Sequence, residues 1–205
     1  MPARRTRATA PTRVNMGRSR GLSMQATRTW LEMTAPADLR PVAPPRPALR
    51  VERIDGCPPA LYRELYAEVG RRWRWIDRAG WSDEDIARHL GRPDIVLWVA
   101  SADGARAGYF ELQRHADGSV EIAYFGLLPA YIGFGLGGWL LSEAVRCAWA
   151  LGASRVWLHT CTLDHPAALP NYLARGFRPY RAETFEVPDE PAHLGEPAVA
   201  PPPDR

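Results

Sequence analysis

Read by its apolar and polar positions, the chain has no regular period until about residue 48. Residues 1 to 28 show no apolar repeat and no acidic residue, a pattern that predicts disorder. Trp30-Leu31-Glu32-Met33 is a short apolar patch suited to docking on a folded domain. Pro36 and the proline-dense run Pro41 to Pro47 then rule out a helix or a central strand. The expectation is a basic tail and proline-rich linker over 1–47, a folded domain over 48–187 and a loose proline-rich tail over 188–205.

Inside the domain the periods are clear. Leu49, Val51 and Arg53 alternate as in a first strand. Pro58-Pro59 open a helix to about Val69, with Leu61, Leu65 and Val69 on one face. Ser82 is a good N-cap for a second helix, Asp83 to Leu90, stopped by Gly91 and Pro93. Ile95 to Ala100, Gly108 to Arg114 and Val120 to Leu127 read as three strands joined through Asp103-Gly104 and Asp117-Gly118, a strong hairpin signal. Leu136, Leu140, Ala144, Ala148 and Leu151 form a helical stripe capped by Gly152. A strand over Arg155 to Thr160 follows, parallel to its predecessor through a right-handed crossover. A helix from Pro166 through Tyr172, ending at Gly176, and one or two strands over Phe177 to Val187 complete the domain. The order β-α-α-β-β-β-α-β-α-β predicts an α/β fold with a mixed, mostly antiparallel sheet flanked by helices.

Between the last meander strand and the long helix lies Gly133-Phe134-Gly135-Leu136-Gly137-Gly138, four glycines in six positions. Glycines permit positive φ and close backbone approach, and a helix start leaves free N–H groups and partial positive charge. The product is an anion cradle, usually for phosphate. Gly133, Gly135 and Gly138 also fit the dinucleotide pattern GxGxxG, but an antiparallel meander precedes them rather than a first βαβ unit.

Charge and cysteines narrow the classes further. All 26 basic residues are arginine, and seven of them lie in residues 1 to 30, leaving 19 against 23 acidic residues elsewhere. The domain is therefore mildly acidic and offers nucleic acid no basic face. No apolar run reaches the roughly 20 residues that cross a bilayer, and no secretory signal is present. The Arg-rich start resembles a transit peptide less than a plain tail, and Met16 and Met24 are alternative starts. Cys57, Cys147 and Cys161 form no CxxC pair, so a reducing cytoplasm is expected. Asp164-His165 lacks a third ligand nearby, so no metal site is expected, and Cys161 beside His159 is a weak nucleophile pair.

The element order, Leu128-Pro129 before the glycine turn, and Tyr172-Leu173-Ala174-Arg175-Gly176-Phe177 near the end together resemble the GCN5-related N-acetyltransferase (GNAT) family over roughly residues 49 to 187. The resemblance implies acetyl-CoA as donor and co-substrate, with the pyrophosphate on backbone N–H groups from Phe134 to Gly138 and the pantetheine arm near Leu127, Leu128 and His165. It also implies that the strand before the turn splays from the next one, for which Gly126 is the expected bulge. Two positions depart from the family pattern: Ile132 stands where Gln or Arg is usual, and His165 where Asn commonly opens the last helix.

Acetyl transfer from a thioester needs a neutral amine, a polarised carbonyl and a proton for the thiolate. Glu121 matches a family position used as base, and burial in its apolar strand is expected to raise its pKa; the alternatives are binding of the substrate ammonium or a structural pair. Glu111 on the neighbouring strand is the reserve. Tyr172 matches the position of a tyrosine that protonates the thiolate. Arg71 to Trp81 carries Trp73, Trp75 and Trp81, which either lid the core or wall the acceptor site.

The expected partner is a small-molecule or peptide amine, with neither nucleic acid nor membrane involved, and the expected assembly is a monomer or homodimer. The alternative is a non-catalytic acyl-CoA-binding or sensing module on the same fold.

Overall fold

Seven strands share one sheet: β1 (Ser23–Met33), β2 (Leu49–Arg53), β3 (Ile95–Ala102), β4 (Ala105–Arg114), β5 (Val120–Leu127), β6 (Val156–Cys161) and β7 (Arg178–Pro188), in the spatial order β2-β3-β4-β5-β6-β1-β7. The structure is a computed structural model that describes residues 23–46 and 48–188; the expectations for 1–22 and 189–205 lie outside these residues. Among the described residues four α-helices flank the sheet: α1 (Pro59–Gly70), α2 (Asp83–Leu90), α3 (Leu136–Ala150) and α4 (Ala168–Ala174). Neighbouring strands are antiparallel except β5 and β6, which are parallel. From β2 onward the element order is the expected one, and the sheet is mixed and mostly antiparallel.

The N-terminal boundary needs correction. Residues 23–33, expected to lie in the tail and linker, form β1, an interior strand between β6 and β7. Arg28 to Met33 pair with β6, and Ser23 to Glu32 pair with β7. Two ladders satisfy its backbone groups on both sides, so the strand needs few apolar residues of its own. Those it has are well placed: Ala26, Trp30, Leu31 and Met33 are all buried. The threonines on either side of Arg28 favour extended backbone although they break the apolar pattern.

Two cores sandwich the sheet. On one face Leu31, Phe110, Leu112, Val120, Ile122 and Leu158 meet Leu136, Leu140, Leu141 and Ala144 of α3. On the other, Leu97 and Tyr109 meet Tyr62, Leu65 and Val69 of α1 and Ile86 of α2. The α2 start is fixed by a reciprocal capping box between Ser82 and Asp85. The β3–β4 turn uses Asp103 and Gly104 with both φ angles positive. The last helix begins two residues later than expected, and the last strand is a single one. No helix among the described residues is long and apolar enough to cross a membrane.

Candidate active site

The parallel pair β5 and β6 is joined by two rungs, Val120↔Val156 and Glu121↔Trp157, and then parts. The cause lies on the other edge of β5. Its register with β4 moves from Leu112↔Ile122 to Glu111↔Tyr124, so Ala123 is an extra, unpaired residue that bends the strand. The bulge is thus at Ala123, not at Gly126 as expected. Gly126 sits in regular register with Tyr109, and a Cβ there would collide with Val69 Cγ1, so this glycine lets α1 approach the sheet. A cavity of about 810 Å³ runs from the glycine turn past the parted strands to β1 and β7.

At one end of the cavity the glycine turn behaves as its sequence requires. Gly133 and Gly135 have φ of 91° and 77°, and a Cβ on either would meet only open space, so backbone conformation rather than crowding selects glycine there. Gly135 is the N-cap of α3. No side chain caps this helix and no acidic residue occupies its first turn. The orphan N–H groups and the positive helix end therefore remain for an anion. Arg175 stands beside the turn: its Nη1 lies 2.6 Å from where a Cβ of Gly138 would be and donates to Asn171 Oδ1 at 3.4 Å. Asn171 Nδ2 donates to Gly137 O at 3.1 Å and ties α4 to this turn. The donor set fits a phosphate-bearing group held by backbone amides.

Of the positions expected at a coenzyme, Leu127, Gly133, Gly135, Gly137, Gly138 and His165 line the cavity. Leu136 is buried in the core, the Phe134 side chain is exposed, and Leu128 packs beside the second core. Their side chains point elsewhere, which leaves only backbone groups to contribute. Ile132 adds an apolar wall. His165 Nδ1 accepts the Ala167 N–H at 3.0 Å, and its ring meets Trp73 edge to face at 5.0 Å, so it braces the start of α4 against the tryptophan loop.

Tyr172 projects from α4 into the cavity wall between Phe125 and Phe177. Burial, with a smaller push from Asp164, holds its phenol well above the usual range. It therefore stays protonated and can donate a hydrogen bond.

Glu121 occupies the last rung before the strands part. Burial pushes its carboxyl up, but the His115 hydrogen bond and the His159 ring outweigh that and hold it below the ordinary carboxylate value. The expected raised pKa is not found. His115 Nε2 lies 3.2 Å from Oε2, and His159 Nδ1 lies 3.7 Å from Oε1, an ion-pair distance. Glu121 does not line the cavity, but His159 does. The carboxylate therefore stands behind an imidazole that faces the open space.

Glu111 is not placed to act as a base or to touch a substrate. It is fully buried and accepts from Tyr62 Oη at 2.9 Å, from Arg78 at 2.8 and 3.0 Å, and lies 2.9 Å from His89 Nε2. Burial alone would raise its carboxyl; His89 and Arg78 more than compensate and hold it at about 2. Sequence could not show this, since the partners are 22 to 49 residues away.

The tryptophan loop divides between the two readings left open for it. Trp73 and Trp75 line the cavity; Trp75 also packs on Tyr66 and Tyr124. Trp81 lies instead against Arg78, 4.9 Å from its guanidinium, and against His89. It covers the Glu111 cluster.

The lining also includes His159, which the sequence brought up only as a partner for Cys161, and Arg28, which it did not single out. His159 shares a face with Trp157, the rung partner of Glu121, and register would have exposed it. Arg28 could be found only once β1 was recognised as a strand.

The sequence model of the Acetyltransferase (GNAT) family matches residues 62–177. None of the curated proteins matches the sequence. Among solved structures, the chain is similar to a GCN5-related N-acetyltransferase from Kribbella flavida, with 22% identity, a TM-score of 0.56, and coverage of 82% of this chain and 60% of that one. It is similar to a GCN5-related N-acetyltransferase from Sphaerobacter thermophilus at 18% identity and TM-score 0.58, covering 82% of this chain and 53% of that one. It is also similar to an aminoglycoside acetyltransferase from an uncultured soil metagenomic sample, in complex with trehalose, at 14% identity and TM-score 0.53, covering 62% and 87%. The chain thus spans between half and three fifths of the first two. These likenesses concern the fold; with the family match over more than half of its length, the chain belongs to the GNAT acetyltransferase family.

Proposed function

We propose that the chain is an acetyl-CoA-dependent N-acetyltransferase that moves an acetyl group to a primary amine by direct attack in a ternary complex. One observation carries the reading. A single cavity joins an uncapped glycine turn to parted parallel strands and to the imidazole of His159.

When bound, acetyl-CoA supplies an activated thioester. The backbone N–H groups from Phe134 to Gly138, with Arg175 beside them, hold its pyrophosphate, and the unpaired edge of β5 beyond Glu121 offers backbone groups to the pantetheine arm and the acyl carbonyl. His159 takes the proton that the amine loses, and Glu121 orients the ring through Nδ1 and stabilises its charge, so Glu121 is a positioning residue. The amine nitrogen bonds to the acyl carbon as the carbon–sulfur bond breaks, and Tyr172 donates to the departing sulfur. Trp73 and Trp75 exclude water from the acceptor side.

Ile132 favours a second reading, an acyl-CoA-binding or sensing module, because it removes a polar side chain from the turn. Mass spectrometry decides between them. An amine panel incubated with acetyl-CoA and the full chain should yield a product heavier by one acetyl group; CoA binding with no acetylated amine would establish the module.

A further inference from the structure

Resting on that reading, we infer that the acceptor carries an anionic group, carboxylate or phosphate, which Arg28 binds while the amine faces His159.

Arg28 lines the cavity from β1. Its guanidinium lies 5.8 Å from the Trp30 ring and 5.2 Å from the Phe185 ring, an aromatic setting that orients it. Its Nε is buried with no hydrogen-bond partner. Among the described residues no carboxylate comes within ion-pair reach of it, although Glu183 is its register partner and Asp77 and Asp164 line the same cavity. Glu183, its register partner on β7, is held by Arg181. Asp164 accepts from Thr160 Oγ1 at 2.6 Å and from the Cys161 N–H at 2.9 Å. Asp77, on the tryptophan loop, accepts from Tyr124 Oη at 2.7 Å. Both cavity carboxylates thus have donors of their own, while among the described residues Arg28 has no carboxylate partner and its Nε no acceptor. Arg28 as a whole is half-buried, and its buried Nε–H is a donor that an oxygen entering the cavity could satisfy.

The register supplies the spacing. Trp30 pairs with His159 and Arg28 with Cys161, so Arg28 and His159 are diagonal neighbours on one face of the sheet. Such positions are roughly 7–8 Å apart at Cα, within reach of long side chains. A small molecule can therefore present an amine to one and an anion to the other. A planar guanidinium suits the two oxygens of a carboxylate or phosphate, and it repels acceptors that carry only ammonium groups.

The test uses the full chain, its Arg28→Gln and Arg28→Lys variants, and two matched pairs: L-phenylalanine with its amide, and O-phosphoethanolamine with ethanolamine. Tryptophan fluorescence reads binding without turnover, and free thiol from acetyl-CoA reads the reaction. In the wild type, the anionic member of at least one pair should bind and react about tenfold or more better than its neutral partner. The pair that shows the preference tells carboxylate from phosphate. Arg28→Gln should erase the preference, Arg28→Lys should retain part of it, and KM for acetyl-CoA should stay unchanged.

Equal or reversed preference in the wild type, or a rise in KM for acetyl-CoA instead of the acceptor, would overturn the inference. Should Arg28→Gln fail to fold, the wild-type pairs alone decide. Turnover without preference sinks the anion site and leaves the acetyltransferase standing; Arg28-dependent binding without thiol release does the reverse.

Discussion

Glu121 Oε1 lies 3.7 Å from His159 Nδ1 at the point where β5 and β6 part, with the carboxylate inside and the imidazole toward the cavity. The pair is set by β-sheet register. Glu121 rungs with Trp157, and His159 is the next residue of β6 on that face.

Replacing His159 with Gln should lower kcat/KM for the amine about 100-fold with little change in CoA affinity, the scale of a lost general base. Glu121→Gln should cost about tenfold in kcat/KM for the amine, because the ring loses the carboxylate that orients it. The wild-type carboxyl is held below its ordinary value, so it is ionised at neutral pH when it faces the ring. Steady-state kinetics of the two variants separates the roles; an undiminished kcat/KM in Glu121→Gln would count against the positioning role.

Tyr172→Phe should lower kcat by about tenfold or more and leave KM for the amine nearly unchanged. Its ring packs on Phe125 and Phe177, contacts that phenylalanine keeps, so stability should hold. Wild-type kcat in this variant would remove Tyr172 from the chemistry.

Glu111 should matter for folding rather than for proton transfer. Glu111→Gln leaves Arg78 buried without its partner and should cost about 3–5 kcal/mol in denaturant unfolding. The pH dependence follows from a carboxyl lowered from 4.5 to about 2. Above about pH 4.5 the folded state keeps this contribution in full; as pH falls toward 2 the unfolded chain binds the proton first and the contribution is lost. Urea midpoints measured from pH 6 to pH 2.5 should drop less in Glu111→Gln than in the wild type.

The interior position of β1 makes a further prediction about stability. Leu31 is fully buried among Leu158 and the α3 side chains, so Leu31→Ala should cost about 2–5 kcal/mol. Removing residues 1–33 should abolish cooperative thermal unfolding by circular dichroism, whereas a mere tail could be removed without effect.

Much of this architecture was legible from local signals. The Ser82 cap, the Asp-Gly hairpins and the apolar stripe of α3 each sit within a few residues of the element they specify, and each was found where expected. The glycine turn was equally plain because its conformation demands the residue type. β1 was not legible, since a strand paired on both edges draws its order from distant partners, Cys161 and Glu183 for Arg28 alone. The same distance hid the site chemistry. Glu121 and Glu111 look alike in sequence, and only packing shows that one stands behind a cavity-facing imidazole while the other is locked against Arg78.

The central claim is that acetyl transfer to an amine takes place at the parted strands through His159 backed by Glu121. Free thiol release from acetyl-CoA, measured with an amine panel for wild type, His159→Gln and Glu121→Gln, tests it most directly. The account predicts amine-dependent release that falls about 100-fold in His159→Gln and about tenfold in Glu121→Gln, with CoA binding retained. Release at equal rates in all three proteins, or CoA binding with no release for any amine, would contradict it.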